Sequence, residues 1–391
     1  MKSSSLMDIT NRPEIVFEQG KGDWLYDSEG RKYLDFVQGW AVNSLGHCHP
    51  KIVSAIEKQA NRLINCSPAF FNEPMMMLAD KITENSCYDQ VFFTNSGAEA
   101  NEGAIKLVRK WGKINKSGAY EIITFKNSFH GRTLTTMEAS GKKEFASMFN
   151  PKTPGFRKSV FNDLSSVKEN INENTAAIML ELIQGEAGVI ESSSVFINEL
   201  VELCKEKNVL IIVDEVQTGI GRTGSLFAYQ NYGIEPDIIT LGKGLGGGVP
   251  IGALVAKSSV SCFDYGEQGG TYNGNPLICA TALTVFETVN CQDFLLAIKE
   301  KGQILKTGLN KISSKYNQKG VRGEGLLLAM ELSTPIAEKI ALIAIQQFNI
   351  LINACSPTTI RLMPALNVEL DSIETLLSCF DKIFNECQHN S

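Results

Sequence analysis

Two short runs of apolar, largely β-branched residues place the strongest constraint on the fold of this chain. Each run ends in one charged residue: VLIIVD ends at Asp214, and DIITLGK ends at Lys243. Runs of this length and composition are typical of buried parallel strands. In a doubly wound sheet the ligand crevice lies at the carboxyl ends of the strands, so Asp214 and Lys243 would both face it.

An acid and an amine in one crevice favour a particular kind of chemistry. A buried lysine in cationic surroundings has a lowered pKa, becomes nucleophilic and can condense with an aldehyde. An ionised carboxylate beside a pyridine nitrogen keeps that nitrogen protonated, so the ring can accept the electrons of a substrate carbanion. The pair therefore suits pyridoxal phosphate, although either residue alone is more often structural or solvated than functional.

Length and composition narrow the class of protein. A chain of 391 residues suits two domains. A net charge of -6 argues against a nucleic-acid surface, and no apolar run reaches membrane-spanning length. Ten cysteines without a C-x-x-C pair indicate reduced thiols in a cytoplasmic enzyme. Two histidines, His47 and His49, lie close together without acidic or cysteine partners, so we expect a packed loop and no metal.

Strands and helices alternate through the middle of the chain at the spacing of βαβ units, which predicts an α/β fold. We expect residues 51–276 to form a large domain with a mostly parallel sheet flanked by helices. Residues 1–50 and 277–391 would form a smaller α+β domain. The individual predictions are a hairpin over Trp24–Phe36, helices over Lys51–Leu63, Pro74–Asn85, Val195–Asn208 and Leu277–Val289, and strands over Glu121–Phe125 and Ala176–Ile183.

The segment QVFFTNSGAEANEGAIK predicts a strand, a tight turn and a helix. Ser96, Gly97 and Ala98 would then present backbone N–H groups at a helix N-terminus, where a phosphate is favoured. By itself this pattern is more often an ordinary turn. A second glycine cluster, Gly242-x-Gly244-x-x-Gly247, matches a dinucleotide fingerprint, but it runs into the apolar strand VPIGALVA rather than a helix and is therefore a false positive.

Other polar residues follow the remaining predicted strands. NSFHGRT places Phe129 and Arg132 after one strand, where Phe129 can stack on a planar ring and Arg132 can bind a carboxylate. Arg132 is equally well explained as a solvated surface cation. QGEAG places Glu186 after another strand, and Arg361 lies within the predicted strand TIRLMPAL.

Taken in order, these segments resemble the class III pyridoxal phosphate-dependent aminotransferases. The resemblance rests on WLYDSEGRKYLDF, AVNSLGHCHP, FFTNSGAEANEGAIKLVRKW, NSFHGRT, IQGEAG, VDEVQTGIGRTG, LGKGLGGGVPIGA and GGTYNGNP, and so spans almost the whole chain. It implies the fold type I architecture of pyridoxal 5'-phosphate-dependent transferases. It also implies a homodimer with active sites at the subunit interface.

The resemblance also implies roles for residues that would contact the cofactor. Lys243 would form the covalent link to the cofactor, and Asp214 would bond its pyridinium nitrogen. Phe129 would stack on the ring, and Gln217 would approach the ring hydroxyl. The phosphate would be bound by Ser96, Gly97 and Ala98 and by Thr271 of the partner subunit.

A further set of residues is implied to contact substrate. Arg132 would take a substrate carboxylate, and Glu186 and Arg361 would form an ion pair that opens when an oxo acid binds. Trp40 would shape the pocket entrance. Gly270 stands where many relatives have a hydroxyl residue, so one contact to substrate or phosphate would be absent.

Within the family, the resemblance is strongest to members that transfer the terminal amino group of N2-acetyl-L-ornithine to 2-oxoglutarate. The products would be N-acetyl-L-glutamate 5-semialdehyde and L-glutamate, in arginine biosynthesis. Free ornithine, succinyl-diaminopimelate and 4-aminobutyrate are alternative amino donors. A non-catalytic binding protein on the same fold is disfavoured because both Lys243 and Asp214 are present.

Overall fold

The computed structural model describes residues 5–389, with side chains described through residue 386. The strands, in chain order, are β1 Phe17–Lys21, β2 Trp24–Asp27, β3 Lys32–Asp35, β4 Gln90–Thr94, β5 Glu121–Phe125, β6 Phe156–Ser159, β7 Thr175–Leu180, β8 Ile183–Gln184, β9 Ile190–Glu191, β10 Leu210–Asp214, β11 Ile238–Leu241, β12 Gly252–Ala256, β13 Gly320–Glu324, β14 Leu327–Glu331, β15 Ile350–Leu351, β16 Asn353–Ser356 and β17 Thr359–Leu362.

The helices range from 4 to 24 residues in length. In chain order they are α1 Gln38–Ala41, α2 Pro50–Ala60, α3 Glu73–Glu84, α4 Gly97–Asn115, α5 Leu134–Ala139, α6 Leu164–Asn170, α7 Ser194–Lys207, α8 Tyr229–Tyr232, α9 Pro276–Val289, α10 Gln292–Lys315, α11 Ala337–Phe348 and α12 Leu370–His389. Short 3-10 turns occur at Lys143–Ser147 and Lys243–Leu245.

A seven-stranded sheet in the order β4-β12-β11-β10-β7-β5-β6 forms the centre of the protein. The strands β11, β10, β7, β5 and β6 are parallel to their neighbours in this set. β12 runs antiparallel to both β11 and β4, so β4 points the same way as the parallel strands. The carboxyl ends of six strands therefore meet at one edge of the sheet, and the α/β prediction is confirmed.

Alternate residues of the central strands pack against helices on opposite faces of the sheet. In β10, Ile212 packs into the cluster that contains Ile105 of α4, whereas Ile211 and Val213 pack into the cluster that contains Leu200 of α7. Burial of each such side chain stabilises the fold by about 1.5–3 kcal/mol. Because both faces of the sheet are covered, the residues of β10 before Asp214 are all apolar and do not alternate with polar residues.

Most predicted elements are found within a few residues of their expected bounds. The strand Glu121–Phe125 is observed as predicted, and the hairpin of β2 and β3 turns at Gly30, which has a φ of 76°. The continuous strand predicted over Ala176–Ile183 is wrong. It ends at Leu180, because Glu181 accepts hydrogen bonds from two loop amides and the chain then turns into the short hairpin β8-β9.

Both chain ends contribute to the smaller sheets. β15 pairs in parallel with β3, so a C-terminal segment completes the sheet of β1, β2 and β3. A second four-stranded sheet, β13-β14-β17-β16, packs against α10 and α11. The division of the chain at residues 50 and 276 stays a prediction, and α9, which begins at residue 276, packs on α2 and α3.

Two further expectations concern cysteines and membranes. The nine cysteines with described side chains are free thiols, and Cys387 lies outside the described side chains. Within residues 5–389, none of the helices combines the length and the apolar composition needed to cross a bilayer.

Candidate active site

A cavity of about 500 Å³ opens at the carboxyl edge of the central sheet. The sheet topology explains its position, because β4, β5, β7, β10 and β11 all end there. Nine residues predicted from the sequence line it: Ser96, Gly97, Ala98, Phe129, Arg132, Glu186, Asp214, Gln217 and Lys243. The tertiary structure thus brings together residues that are up to 147 positions apart in the sequence, between Ser96 and Lys243.

Asp214, at the end of β10, is held by a buried hydrogen-bond network. Its Oδ2 accepts a bond of 2.8 Å from Asn101 Nδ2 and lies 2.8 Å from His130 Nδ1. Because a carboxylate oxygen only accepts, Nδ1 of His130 is the donor in this hydrogen bond. Thr240 donates to Asn101 Oδ1 over 2.6 Å, which fixes the orientation of the Asn101 amide. Neither Asn101 nor His130 was predicted as a site residue, and only their positions beside the phosphate turn and the NSFHGRT motif could have suggested them.

Lys243, directly after β11 and Gly242, is buried at the same edge. Burial lowers the pKa of its amine, and the nearby Arg361 lowers it further, against opposing effects from Glu186 and Asp214. Its backbone has a φ of 40°, in the left-handed region that residues other than glycine rarely adopt. A conformation of this kind costs about 1–3 kcal/mol and is found mostly at functional sites.

The chain after Lys243 turns back rather than starting a long helix. Lys243–Leu245 forms a single 3-10 turn, and β12 begins at Gly252. The expectation that the glycine cluster is not a dinucleotide fingerprint is therefore confirmed. Gly244 is needed for close packing, since a Cβ there would lie 2.8 Å from Ser44 Oγ, which donates to the Gly244 carbonyl over 2.6 Å.

The turn between β4 and α4 presents the start of a long helix to the cavity. Ser96 caps α4, with its Oγ accepting from the Glu99 amide over 3.2 Å. The amides of Gly97 and Ala98 occupy the first turn, where backbone N–H groups have no acceptor within the helix. A Cβ on Gly97 would lie 2.6 Å from the Val216 methyl groups, so only glycine lets this turn approach the strand that ends at Asp214.

An ion pair joins Glu186, which lines the cavity, to Arg361. Arg361 Nη2 donates to Glu186 Oε1 over 2.8 Å, and Nη1 donates to the Gly185 carbonyl over 2.8 Å and to Gln217 Oε1 over 3.3 Å. Arg361 Nε donates to Asn353 Oδ1 over 3.1 Å. The Arg361 side chain is 1% exposed and the Glu186 side chain 25% exposed, so the acid is the member of the pair with room to move.

The same acid touches a second cation. Lys142 Nζ lies 3.1 Å from Glu186 Oε2. Burial alone would raise the pKa of Glu186, but Arg361, Lys142 and Lys243 outweigh that effect and lower it to about 2. Lys142 was not predicted as a site residue, and nothing in the polar run ASGKKEF distinguishes it from its neighbours.

Glu181 is another residue that the sequence analysis did not single out. It directly follows β7 and lines the cavity, where its Oε1 accepts from the Phe129 amide over 2.9 Å and its Oε2 from the Gly185 amide over 3.3 Å. Burial, aided by the charge of Asp214, raises its pKa to about 8. A lone acid inside the apolar run AAIMLELI was the available signal.

Four predicted residues lie outside the cavity lining of this chain: Trp40, Gly270, Thr271 and Arg361. Arg361 contacts the lining through its hydrogen bonds to Glu186 and Gln217. Trp40 is 52% exposed and has a φ of 61° within the irregular turn at Gln38–Ala41. Gly270 and Thr271 lie in an exposed loop between β12 and α9.

Phe129 and Arg132 lie side by side in the cavity lining. Phe129 is half-buried and Arg132 is exposed, with its guanidinium 6.0 Å from the Phe129 ring centroid.

The groups lining the cavity fit pyridoxal 5'-phosphate, the cofactor implied by the sequence resemblance. A buried amine and a fixed carboxylate match its aldehyde and its pyridine nitrogen. Gln217 Nε2 is a buried donor with no acceptor among the described residues. It can therefore donate a hydrogen bond to the ring hydroxyl of the cofactor. The first amides of α4 match a phosphate.

The two histidines of the loop before α2 make structural contacts. His47 bonds Asp35, and His49 caps α2.

Comparison with known proteins extends over nearly the whole chain. Residues 7–384 match the family described as Aminotransferase class-III. The chain is 52% identical over 379 residues to acetylornithine aminotransferase from Ralstonia nicotianae, covering 95% of each protein. It resembles the structure of N-acetylornithine aminotransferase from Stenotrophomonas maltophilia, with 34% identity, a TM-score of 0.85 and coverage of 97% and 98%. It also resembles an ornithine aminotransferase from Toxoplasma gondii that has partial occupancy of PLP at its active site, with 32% identity, a TM-score of 0.92 and coverage of 98% and 93%.

Proposed function

The chain belongs to the class-III aminotransferases, which depend on pyridoxal 5'-phosphate, and we propose that its amino donor is N2-acetyl-L-ornithine and its acceptor 2-oxoglutarate. The products are then N-acetyl-L-glutamate 5-semialdehyde and L-glutamate, which places the enzyme in arginine biosynthesis. The observation that carries this proposal is the ion pair between Glu186 and Arg361 beside the buried amine of Lys243.

When bound, pyridoxal 5'-phosphate supplies an aldehyde that carries the amino group and a ring that withdraws electrons from the reacting carbon. Asp214 would hold the proton on the ring nitrogen, and Asn101 and His130 keep its carboxylate in place. The amides at the start of α4 would bind the phosphate, and Phe129 would cover the ring. Gln217 would donate to the ring hydroxyl through its unpaired Nε2.

Lys243 has two tasks in this proposal. Its amine would hold the cofactor covalently, and its Nζ would be the base that takes the proton from the substrate carbon. A buried lysine suits the second task because a lowered pKa increases the fraction of the neutral, basic form of the amine.

One pocket must accept two different substrates in turn. While the amino donor reacts, Glu186 neutralises Arg361, so no cation close to Lys243 attracts the donor's distant carboxylate. When 2-oxoglutarate enters, Glu186 moves aside and Arg361 binds the carboxylate beside the carbonyl. Arg132 holds the other carboxylate. An arginine suits both tasks because its planar guanidinium binds carboxylates in two parallel hydrogen bonds.

The charge at the pocket entrance favours acetylated over free ornithine. Arg132 is exposed and forms no ion pair within the described part of the chain, so its charge is available to a carboxylate. Free ornithine carries an ammonium group next to that carboxylate, and Arg132 repels it. Acetylation removes this positive charge and leaves a simple anion at the far end of the substrate.

We also propose a homodimer, in the cytoplasm, with active sites shared between subunits. Several large apolar side chains are exposed, including Phe70 at 67%, Phe71 at 83% and Tyr272 at 62%. Exposed apolar surface of this kind usually marks an interface. Thr271 lies next to Tyr272 and outside the cavity of its own chain, and in a dimer it would reach the phosphate of the partner's cofactor.

A screen of amino donors tests the proposed function. The cofactor-loaded enzyme is mixed with a single amine, and conversion of the cofactor to its amine form is followed by absorbance. We expect N2-acetyl-L-ornithine to react with a higher kcat/KM than free ornithine, succinyl-diaminopimelate or 4-aminobutyrate. Faster reaction of free ornithine would identify an ornithine aminotransferase instead.

A further inference from the structure

Glu186 has a cation on each of its two carboxylate oxygens. Arg361 Nη2 lies 2.8 Å from Oε1, and Lys142 Nζ lies 3.1 Å from Oε2. We propose that Lys142 holds the carboxylate of Glu186 when Glu186 leaves Arg361. Lys142 is then a residue that determines specificity for the oxo acid. This inference rests on the proposed function, because it concerns how one pocket serves two substrates.

Movement of Glu186 has a cost that a second partner offsets. Three-quarters of the Glu186 side chain is removed from solvent, and an ionised carboxylate that loses its only partner in such a place is strongly destabilised. With Lys142 already on Oε2, the side chain can rotate away from Arg361 while keeping one charged contact. Arg361 itself is fixed, because Gly185, Gln217 and Asn353 all accept its hydrogen bonds.

Lys142 is well placed for this task because its backbone is tied to the cavity wall. The amide of the preceding residue, Gly141, donates to the Ser128 carbonyl over 3.0 Å, and the Asn127 amide donates to the Gly141 carbonyl over 3.0 Å. The Lys142 Nζ also lies 4.9 Å from the centroid of the Phe129 ring. Lys142 is therefore anchored to the loop that contains Phe129.

Removal of Lys142 should affect the two half-reactions unequally. In the donor half-reaction Glu186 stays paired with Arg361, so Lys142 is one of two cations that contact its carboxylate. In the 2-oxoglutarate half-reaction Arg361 binds the substrate instead, and Lys142 is the one of these two cations that still contacts Glu186. Lys142→Gln should therefore raise the Kd for 2-oxoglutarate by about ten-fold, the size expected for one charge-assisted hydrogen bond. The Kd for N2-acetyl-L-ornithine should change much less.

The experiment is a single-turnover titration of each half-reaction, with Kd and maximal rate measured separately. Lys143→Gln is the matched control, because it removes the same charge from the neighbouring, exposed position that has no contact with Glu186. Lys142→Arg should restore most of the 2-oxoglutarate affinity. In a Glu186→Gln background, Lys142→Gln should have no further effect on 2-oxoglutarate, since the carboxylate that it would hold is gone.

Two results would overturn the inference. One is an equal loss of affinity for both substrates in Lys142→Gln, which would indicate a general structural role. The other is a full effect of Lys142→Gln in the Glu186→Gln background, which would mean that Lys142 binds the oxo acid directly. If N2-acetyl-L-ornithine fails to react with the wild-type enzyme, the proposed donor is wrong, but the Lys142 effect on 2-oxoglutarate is measured from the amine form of the cofactor and still decides the inference.

Discussion

Replacement of Glu186 by glutamine should change which substrate the enzyme prefers. Glutamine keeps the size of the side chain and removes its charge, so Arg361 is no longer neutralised when the donor enters. A permanently available Arg361 attracts the carboxylate beside the amine of glutamate or beside the carbonyl of 2-oxoglutarate. We therefore expect Glu186→Gln to favour glutamate over N2-acetyl-L-ornithine as amino donor.

The size of this change follows from the electrostatics of the ion pair. The cations around Glu186 lower its pKa from 4.5 to about 2, which corresponds to about 3 kcal/mol of net stabilisation of the ionised form. Arg361 is the largest of the three cationic effects that lower this pKa, ahead of Lys142 and Lys243. A hydrogen bond to a charged group contributes about 1.5–3 kcal/mol, so loss of the Arg361 contact should raise the ratio of kcat/KM for glutamate to that for N2-acetyl-L-ornithine by about ten- to hundred-fold.

The assay compares the two donors in one preparation of the variant. Single-turnover conversion of the bound cofactor is followed by absorbance with glutamate and, separately, with N2-acetyl-L-ornithine. Because the ratio is formed within one preparation, loss of folded protein or of cofactor affects both rates equally. An unchanged ratio in cofactor-loaded Glu186→Gln would refute the idea that this acid switches the pocket between substrates.

Three other substitutions test different parts of the site and fold. Lys243→Ala should leave no borohydride-stable cofactor adduct, and peptide mass mapping that still finds an adduct would place the covalent link elsewhere. Gly185→Ala should weaken cofactor binding about ten-fold by fluorescence titration, because the new Cβ would lie 1.6 Å from Gln217 Oε1 and displace the side chain that donates to the cofactor. Burial raises the pKa of Glu215 to about 7, so the folded state binds more protons than the unfolded state and stability falls as pH rises from about 4.5 to about 7. Urea unfolding of Glu215→Gln should show a flatter dependence on pH in that window, and an unaltered slope would contradict this.

The central sheet and its ligand edge could be predicted because they depend on local patterns. The β-branched runs that end at Asp214 and Lys243 predict buried strands, and parallel strands place their carboxyl ends together whatever the details of the loops. The helix after Ser96 was predicted from the order of strand, tight turn and helix in the segment QVFFTNSGAEANEGAIK. The family resemblance, which rests on motifs in a fixed order, is confirmed by the match over residues 7–384.

Other features depend on contacts between residues far apart in the sequence. Glu186 meets Lys142 and Arg361 across 44 and 175 positions, so no local pattern records that one acid lies between two cations. Glu181 was read as part of a continuous strand, and only the amides of Phe129 and Gly185 explain why the strand ends before it.

The sequence by itself thus determined which chemical groups lie at the strand ends, because the apolar pattern of adjacent residues is enough to predict a buried strand and where it ends. The tertiary structure alone decided how those groups are charged and paired. The pKa of Lys243, the pKa of Glu186 and the availability of Arg361 depend on the depth of burial and on distances of a few ångströms between separate elements. Electrostatic energies change steeply over such distances, and spacing along the chain does not specify them.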